Sequence, residues 1–310
     1  QRRGDRHAGE QHAGNLGRAV TCTGRRHPAT PRGAATARGL IPITAMPQFG
    51  LIIVGDEILS GKRQDKHMAK VIALLAERGL ALAWARYVGD DRAQITTALQ
   101  HAFACGDIVF SCGGIGATPD DHTRQCAAAA LGRPLVLHPE AEQLIRERMQ
   151  DVAREQGTPY EPDRPDNLHR LNMGTFPQGA AIIANPYNKI PGFSVGDVHF
   201  VPGFPVMAHP MIAALLDGPY RHLHGSHVQA ERSVIVMGAM EATLTPLMEA
   251  IEARFAGIKV FSLPSVDHPQ WGRHIELGVK GRPESTAPAF AALLDGLRDL
   301  GARLGPEMVR

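Results

Sequence analysis

Long apolar runs are missing from this chain. No stretch of its 310 residues approaches the roughly 20 consecutive apolar residues that a membrane-spanning helix needs, so no membrane partner is expected. The opening residues hold no apolar segment of the roughly 7–15-residue signal-peptide kind. Cysteine is scarce as well: the four present, Cys22, Cys105, Cys112 and Cys126, form neither a CxxC pair nor a zinc-like spacing. Free thiols in a reducing cytoplasm are the expectation. Aromatic residues are few, while the overall apolar content is that of an ordinary globular protein, enough for one sizeable core and a smaller unit.

Lysine and serine are both missing from residues 1–45, where eight Arg stand against Asp5 and Glu10, a balance of +6. The formal charge of +2 for the whole chain therefore leaves a mildly acidic body of −4. Nucleic-acid affinity rests on neutralising phosphates, so no nucleic-acid partner is expected. The segment 1–45 has no apolar periodicity, reads as disordered, and suggests that Met46 is the true start. A transit peptide fits less well without serine.

From Phe49 the chain alternates in a βα rhythm. FGLIIV (49–54) is a buried-strand run, and MAKVIALLAERGL follows with Met68, Ile72 and Leu75 on one helical face and Gly79 as its stop. ALAWARYV (81–88), a helix with Ile95, Leu99 and Phe103 on one face, and DIVFSC (107–112) continue the pattern. A helix closing at Gly132 and a long polar-faced helix come next. Residues 157–176 read as an irregular excursion, after which AAIIAN (180–185) and VHFVPG (198–203) resume the strands. The expected fold is a three-layer α/β/α domain over 46–220 with a mostly parallel sheet, followed by a small α+β domain over 221–310 in the order β-α-β-β-α.

Ligands of open parallel sheets bind at the carboxyl ends of the strands. Three polar loops stand there: GDEILSGKRQDKH (55–67), GDD (89–91) and GGIGATPDDHT (113–123). Glycine after a strand lets backbone N–H groups approach a phosphate. Asp120 and Asp121 would repel that phosphate unless a divalent ion such as Mg²⁺ lay between them. The same TPDD tetrad also reads as a plain helix start, with Thr118 as N-cap, Pro119 at N1 and acids in the first turn. Both roles stay open.

Together, GDEILSGKRQDKHMAKVIALLAERG, VGDDRAQITTAL and SCGGIGATPDDHTRQCAAAALGRPL resemble the molybdopterin-binding domain family. That family includes the MoaB/MogA molybdenum-cofactor proteins and the N-terminal domains of CinA and eukaryotic FAD synthase. HFVPGFPVMAHPM is similar to the PGxP segment of the last two branches. The resemblance covers about Pro47–Leu300 and implies a molybdopterin or dinucleotide ligand. By the same resemblance the chain self-associates as a dimer or trimer, and any reaction is a metal-assisted attack on a pyrophosphate. It places Asp90 and Asp121 as the acting acids and Asp121, Asp120 and Asp56 as metal ligands. Ligand-facing positions are Gly55, Asp56, Ser60, Gly61, Asp65, Gly113, Gly114, Gly116, Thr118, Thr123 and Asn185. The chain departs from the pattern at Ala117, and in NPYNKIPG (185–192), where Asn188 and Lys189 replace a glycine and a hydroxyl. Lys189 is then expected to meet a phosphate. The deamidase activity of full-length CinA is not expected.

Of the 15 histidines, His7, His12 and His27 fall in the N-terminal segment. His209, His222, His224 and His227 gather near the domain boundary without a zinc framework. Cys112 is read as buried rather than nucleophilic, Met237 and Met240 as core, and Lys62 and Arg63 as residues able to steer an anion.

Overall fold

A computed structural model describes residues 47–226 and 229–310. The readings made for residues 1–46, including Met46, Cys22 and three of the histidines, and for His227, lie outside the described residues. Two sheets carry the described fold, each with its own core.

The first sheet begins with β1 (Phe49–Val54), whose six residues are all buried. The chain passes through α1 (Asp56–Leu59) and α2 (His67–Ala76) to β2 (Leu82–Val88), then α3 (Arg92–Ala104), β3 (Ile108–Cys112) and α4 (Thr123–Leu131). A short ladder of β4 (Leu135–Leu137) with β5 (Thr175–Pro177) brackets α5 (Pro139–Gln156) and α6 (Pro165–Arg170). The stretch read as irregular therefore contains a helix, opened by Pro165 at its first turn. β6 (Ala181–Ile183), β7 (Gly192–Val195), β8 (Val198–Val201) and α7 (Pro205–Asp217) complete this part.

Strand order is β2-β1-β3-β8-β7-β6. The first four strands run parallel, and β7 alone runs against them, pairing antiparallel with β8 on one side and β6 on the other. The carboxyl ends of β1, β2, β3 and β8 thus share one rim. Because β1 leads outward to β2 and the chain then crosses back to β3, a crevice opens at that rim between β1 and β3. Helices α2 and α7 cover one face, with Val71, Leu75, Met211 and Ile212 fully buried. Helices α3 and α4 cover the other through Ile95, Leu99, Cys126 and Ala127. The layers are those expected, with one difference on α2. Ile72 is 44% exposed, and Val71 and Leu74 hold the buried face with Leu75. Gly79 does stop this helix, with φ +62° and Leu80 N donating to Leu75 O at 2.9 Å.

At the opposite rim His199 is buried in a closed network. Its ring nitrogens lie 2.7 Å from Ser194 Oγ and 2.6 Å from Tyr220 Oη, and Tyr220 donates onward to Asp197 at 2.8 Å. Burial pushes the imidazole down to about 4. This core extends through Leu223, a few residues past the boundary read from composition.

The second sheet has the order β10-β11-β9-β12. It is built from β9 (Ala230–Met237), α8 (Glu241–Arg254), β10 (Lys259–His268), β11 (Gly272–Gly281), α9 (Pro283–Asp299) and β12 (Arg303–Val309). All its strands are antiparallel, and α8 and α9 bury Leu244, Ile251, Phe290 and Leu293 against Val234, Val236 and Leu277. The expected order missed β12. Its sequence RLGPEMV carries Pro306, which an edge strand tolerates where its register is broken, here between Leu304 and Glu307. Met240, expected in this core, is exposed. No helix of the described residues is long and apolar enough to cross a membrane.

Candidate functional site

Four loops leave the shared rim. The first starts at Gly55, whose φ of +151° L side chains rarely adopt and where a Cβ would make the Glu57 carboxylate, 2.6 Å away, move aside. Asp56 N donates to Asp90 Oδ2 at 2.9 Å, and Asp90 N donates back to Asp56 Oδ1 at 3.1 Å. The first loop is thereby locked to the second.

The third loop is shaped by sterics. At Gly113, with φ +104°, a Cβ would collide with Val54 O, and at Gly114, with φ +70°, it would collide with Thr123 Oγ1. Thr123 is fully buried under the loop, donating from its N to Gly114 O at 2.9 Å and from Oγ1 to Gly113 O at 3.1 Å. It supports the glycines and does not line the cavity.

The TPDD tetrad is not the first turn of a helix. α4 begins at Thr123, after His122 as N-cap, and residues 118–121 form a separate turn. Asp121 Oδ2 accepts from Thr118 N at 2.9 Å and from the Thr118 hydroxyl, while Asp121 N donates to Thr118 O at 3.1 Å. The acid closes its own loop. Two further side chains hold this loop from behind. Arg124 Nη2 donates to Gly116 O at 2.6 Å, and His169 Nε2 lies 3.1 Å from Ala117 O.

The loops enclose a cavity of about 310 Å³. Gly55 and Arg63 come from the first loop, Asp90 from the second, Gly113 to Asp121 from the third, and Pro202, Gly203 and Phe204 from the loop after β8. Asp90, Asp120, Asp121 and Glu57 face it against the single base Arg63. Burial raises the Asp90 carboxyl above its ordinary range, and the charges of Asp56, Glu57 and Asp120 add to this against the Asp56 N–H bond. An adjoining cavity of about 290 Å³ shares Glu57, Arg63, Gly203 and Phe204 and adds Lys66 and His67. Phe204, 57% exposed at the junction of the two, offers an open aromatic face.

Of the residues expected at the ligand, the structure brings together Gly55, Asp90, Gly113, Gly114, Gly116, Thr118, Asp120 and Asp121. Others lie elsewhere. Asp56 turns to the Asp90 N–H. Ser60 and Gly61 sit past α1, exposed and outside the cavity. Asp65 accepts from His67 N at 2.7 Å, Met68 N at 3.1 Å and Tyr87 Oη at 2.8 Å, so it caps α2. Asn185 organises its own loop, accepting from Tyr187 N at 3.0 Å and donating to Ile190 O at 2.9 Å. Lys189, with φ +66°, is held by Asp151 at 2.8 Å and Glu147 at 3.6 Å, away from the glycines. Sequence reasoning missed Phe204 and Arg124 as site residues. The signal for Phe204 was an aromatic directly after a strand-end Pro-Gly.

Among the described residues no group of three or more His, Cys, Asp or Glu is placed to hold a metal ion. The set Asp121, Asp120 and Asp56 is therefore not assembled, since Asp56 is spent on the second loop. The cavity suits a divalent ion only where the ligand's phosphate oxygens complete a shell begun by one or two carboxylates. His222 and His224 each bond a backbone carbonyl. Burial pushes the Cys112 thiol up, which removes it as a nucleophile.

A family profile described as a probable molybdopterin binding domain matches residues 50–222. A CinA-like protein of Syntrophotalea carbinolica is 31% identical over 223 residues, 67% of this chain and 50% of that protein. A CinA-like protein of Geobacter metallireducens is 29% identical over 266 residues, 84% of this chain and 60% of that protein. The chain thus spans between half and three fifths of the length of these two relatives. Among solved structures, a CinA protein of unknown function from Thermoplasma acidophilum aligns at TM-score 0.45 with 28% identity, over 55% of this chain and 96% of that one.

Proposed function

Since the chain belongs to the family described as a probable molybdopterin binding domain, we propose that it binds a phosphorylated pterin or nucleotide in the cavity at the strand ends. The observation that carries this reading is the convergence of four loops on one cavity around a glycine run that sterics hold open. Backbone N–H groups at Gly114–Gly116 take the phosphate, Arg63 supplies a cation, and Phe204 stacks on the ring system. The four acids disfavour a bare phosphate, so a Mg²⁺ ion shared with the ligand strengthens binding. The experiment is calorimetric titration of the full chain with a phosphorylated pterin, AMP, ADP-ribose and FAD, with and without Mg²⁺ or Co²⁺. Saturable binding of at least one, weakened by Arg63→Gln, supports the reading. No binding by any of them overturns it.

A second reading is hydrolysis of a nucleotide pyrophosphate, favoured by Asp90 and Asp121 facing one cavity from different loops. Water attacks one phosphorus, the anhydride P–O bond breaks, and a carboxylate takes the water proton. A divalent ion, when bound, supplies charge neutralisation at the phosphates. Release of AMP from ADP-ribose or FAD, abolished by Asp121→Asn, supports the enzyme. Tight binding without turnover makes the chain a binding module. Self-association as a dimer or trimer is a separate proposal, decided by sedimentation equilibrium.

A further inference from the structure

Behind the Thr118–Asp121 turn lies another cavity, of about 440 Å³, which shares only Thr118 and Asp121 with the first. Its charge is of the opposite kind. Arg92, Arg124, His122 and His169 line it, and Asp121 is the one acid among its lining residues. The first cavity sets four acids against one base, so the turn separates an acidic chamber from a basic one.

Arg124 is the centre of the second chamber. The residue is 4% exposed, and two of its donors reach Gly116 O and Asn172 O. Its Nε is a buried donor with no partner among the described residues. That nitrogen is closed off from the chamber, but Nη1 and Nη2 each spend one N–H on a carbonyl and keep a second, so the cation retains donors for an anion. Arg92, at the start of α3, forms no ion pair among the described residues. The start of α4 points the same way. His122 provides no side-chain cap, and Arg124 and Gln125, in the first turn of this nine-residue helix, both line the chamber.

We propose that this chamber is a second anion site, distinct from the strand-end cavity, that binds a phosphate dianion as a small monoester. Two arginines, a helix start and the His122 imidazole suit a phosphate better than a carboxylate, because a phosphate offers three terminal oxygens to donors arriving from several directions. The volume exceeds what inorganic phosphate fills and lies in the range of small-ligand sites, which favours a monoester over the free ion. Arg124 and His169 also hold Gly116 O and Ala117 O, so the occupied site braces the loop that lines the first cavity.

The test is an amide NMR titration of the full chain at constant ionic strength, with inorganic phosphate and, separately, glycerol 1-phosphate. Saturable shifts are expected at Gln125, His169 and Thr175, stronger with the monoester. Arg92→Gln, an exposed substitution that leaves the core intact, and His122→Gln each weaken that binding by about tenfold, the loss expected for one charge-assisted hydrogen bond. Arg63→Gln, which probes the first cavity, leaves it unchanged. Failure of nucleotide binding in the first cavity would not touch this result. Absence of saturable shifts at those amides overturns the proposal, as does wild-type affinity in Arg92→Gln. Equal loss in Arg63→Gln would mean that one site, not two, takes the anion. A stronger response to inorganic phosphate than to the ester would overturn the assignment of the ligand.

Discussion

Asp56 and Asp90 exchange hydrogen bonds across two loops, each carboxylate accepting from the other's backbone N–H at 3.1 and 2.9 Å. The pair brings two acids together in order to hold the rim of the cavity. Gly89 makes this possible, because a Cβ there would collide with Asp56 Oδ1. Its electrostatic consequence is an Asp90 carboxyl raised above the ordinary range, by burial first and by neighbouring acids second.

That shift sets the sign of a pH effect on binding. Without a divalent ion, AMP binding tightens as pH falls through the raised Asp90 titration, because protonation removes a negative charge facing the phosphate. Asp90→Asn keeps an acceptor for the Asp56 N–H and flattens the profile. With Mg²⁺ the slope reverses, since protons then compete with the metal. Isothermal titrations at several pH values read both slopes.

Phe204→Ala separates ring recognition from phosphate recognition. The side chain is largely exposed, so its loss leaves the fold intact. Stacking contributes roughly 1–3 kcal/mol per base, and AMP affinity should fall by about tenfold while inorganic phosphate binding stays the same. Equal losses for both would show that Phe204 shapes the loop and does not stack.

Gly113→Ala and Gly132→Ala test whether the glycine run is held by sterics or by backbone conformation alone. Both positions have positive φ, but only Gly113 faces a backbone oxygen where a Cβ would lie. Gly132→Ala should cost about 1 kcal/mol. Gly113→Ala should cost roughly 2 kcal/mol or more and abolish nucleotide binding. Urea midpoints give the comparison.

His199 makes stability depend on acid. Its folded value of about 4 lies below the ordinary 6.5, so between those values the unfolded chain takes up a proton that the folded one refuses. Stability should therefore fall as pH drops from about 6.5 towards 4, by up to about 3 kcal/mol. His199→Gln lowers stability near neutrality and removes this slope. Denaturation at pH 7 and at pH 4.5 measures it.

The sequence alone determined the alternation of strands and helices, the glycine loop after β3, and the two-part organisation, since each is written in local periodicity and backbone demands. FGLIIV had to be buried on both faces, and Gly79 and Gly132 had to end helices. Which polar residues face one another was decided only by tertiary structure. The parallel run of β8 brought Phe204 to the rim. The Asp151 carboxylate drew Lys189 away, and the closing turn of TPDD carried Asp121 clear of the helix start. Such partners are distant in the chain, and spacing along a sequence records burial far better than it records which loops meet.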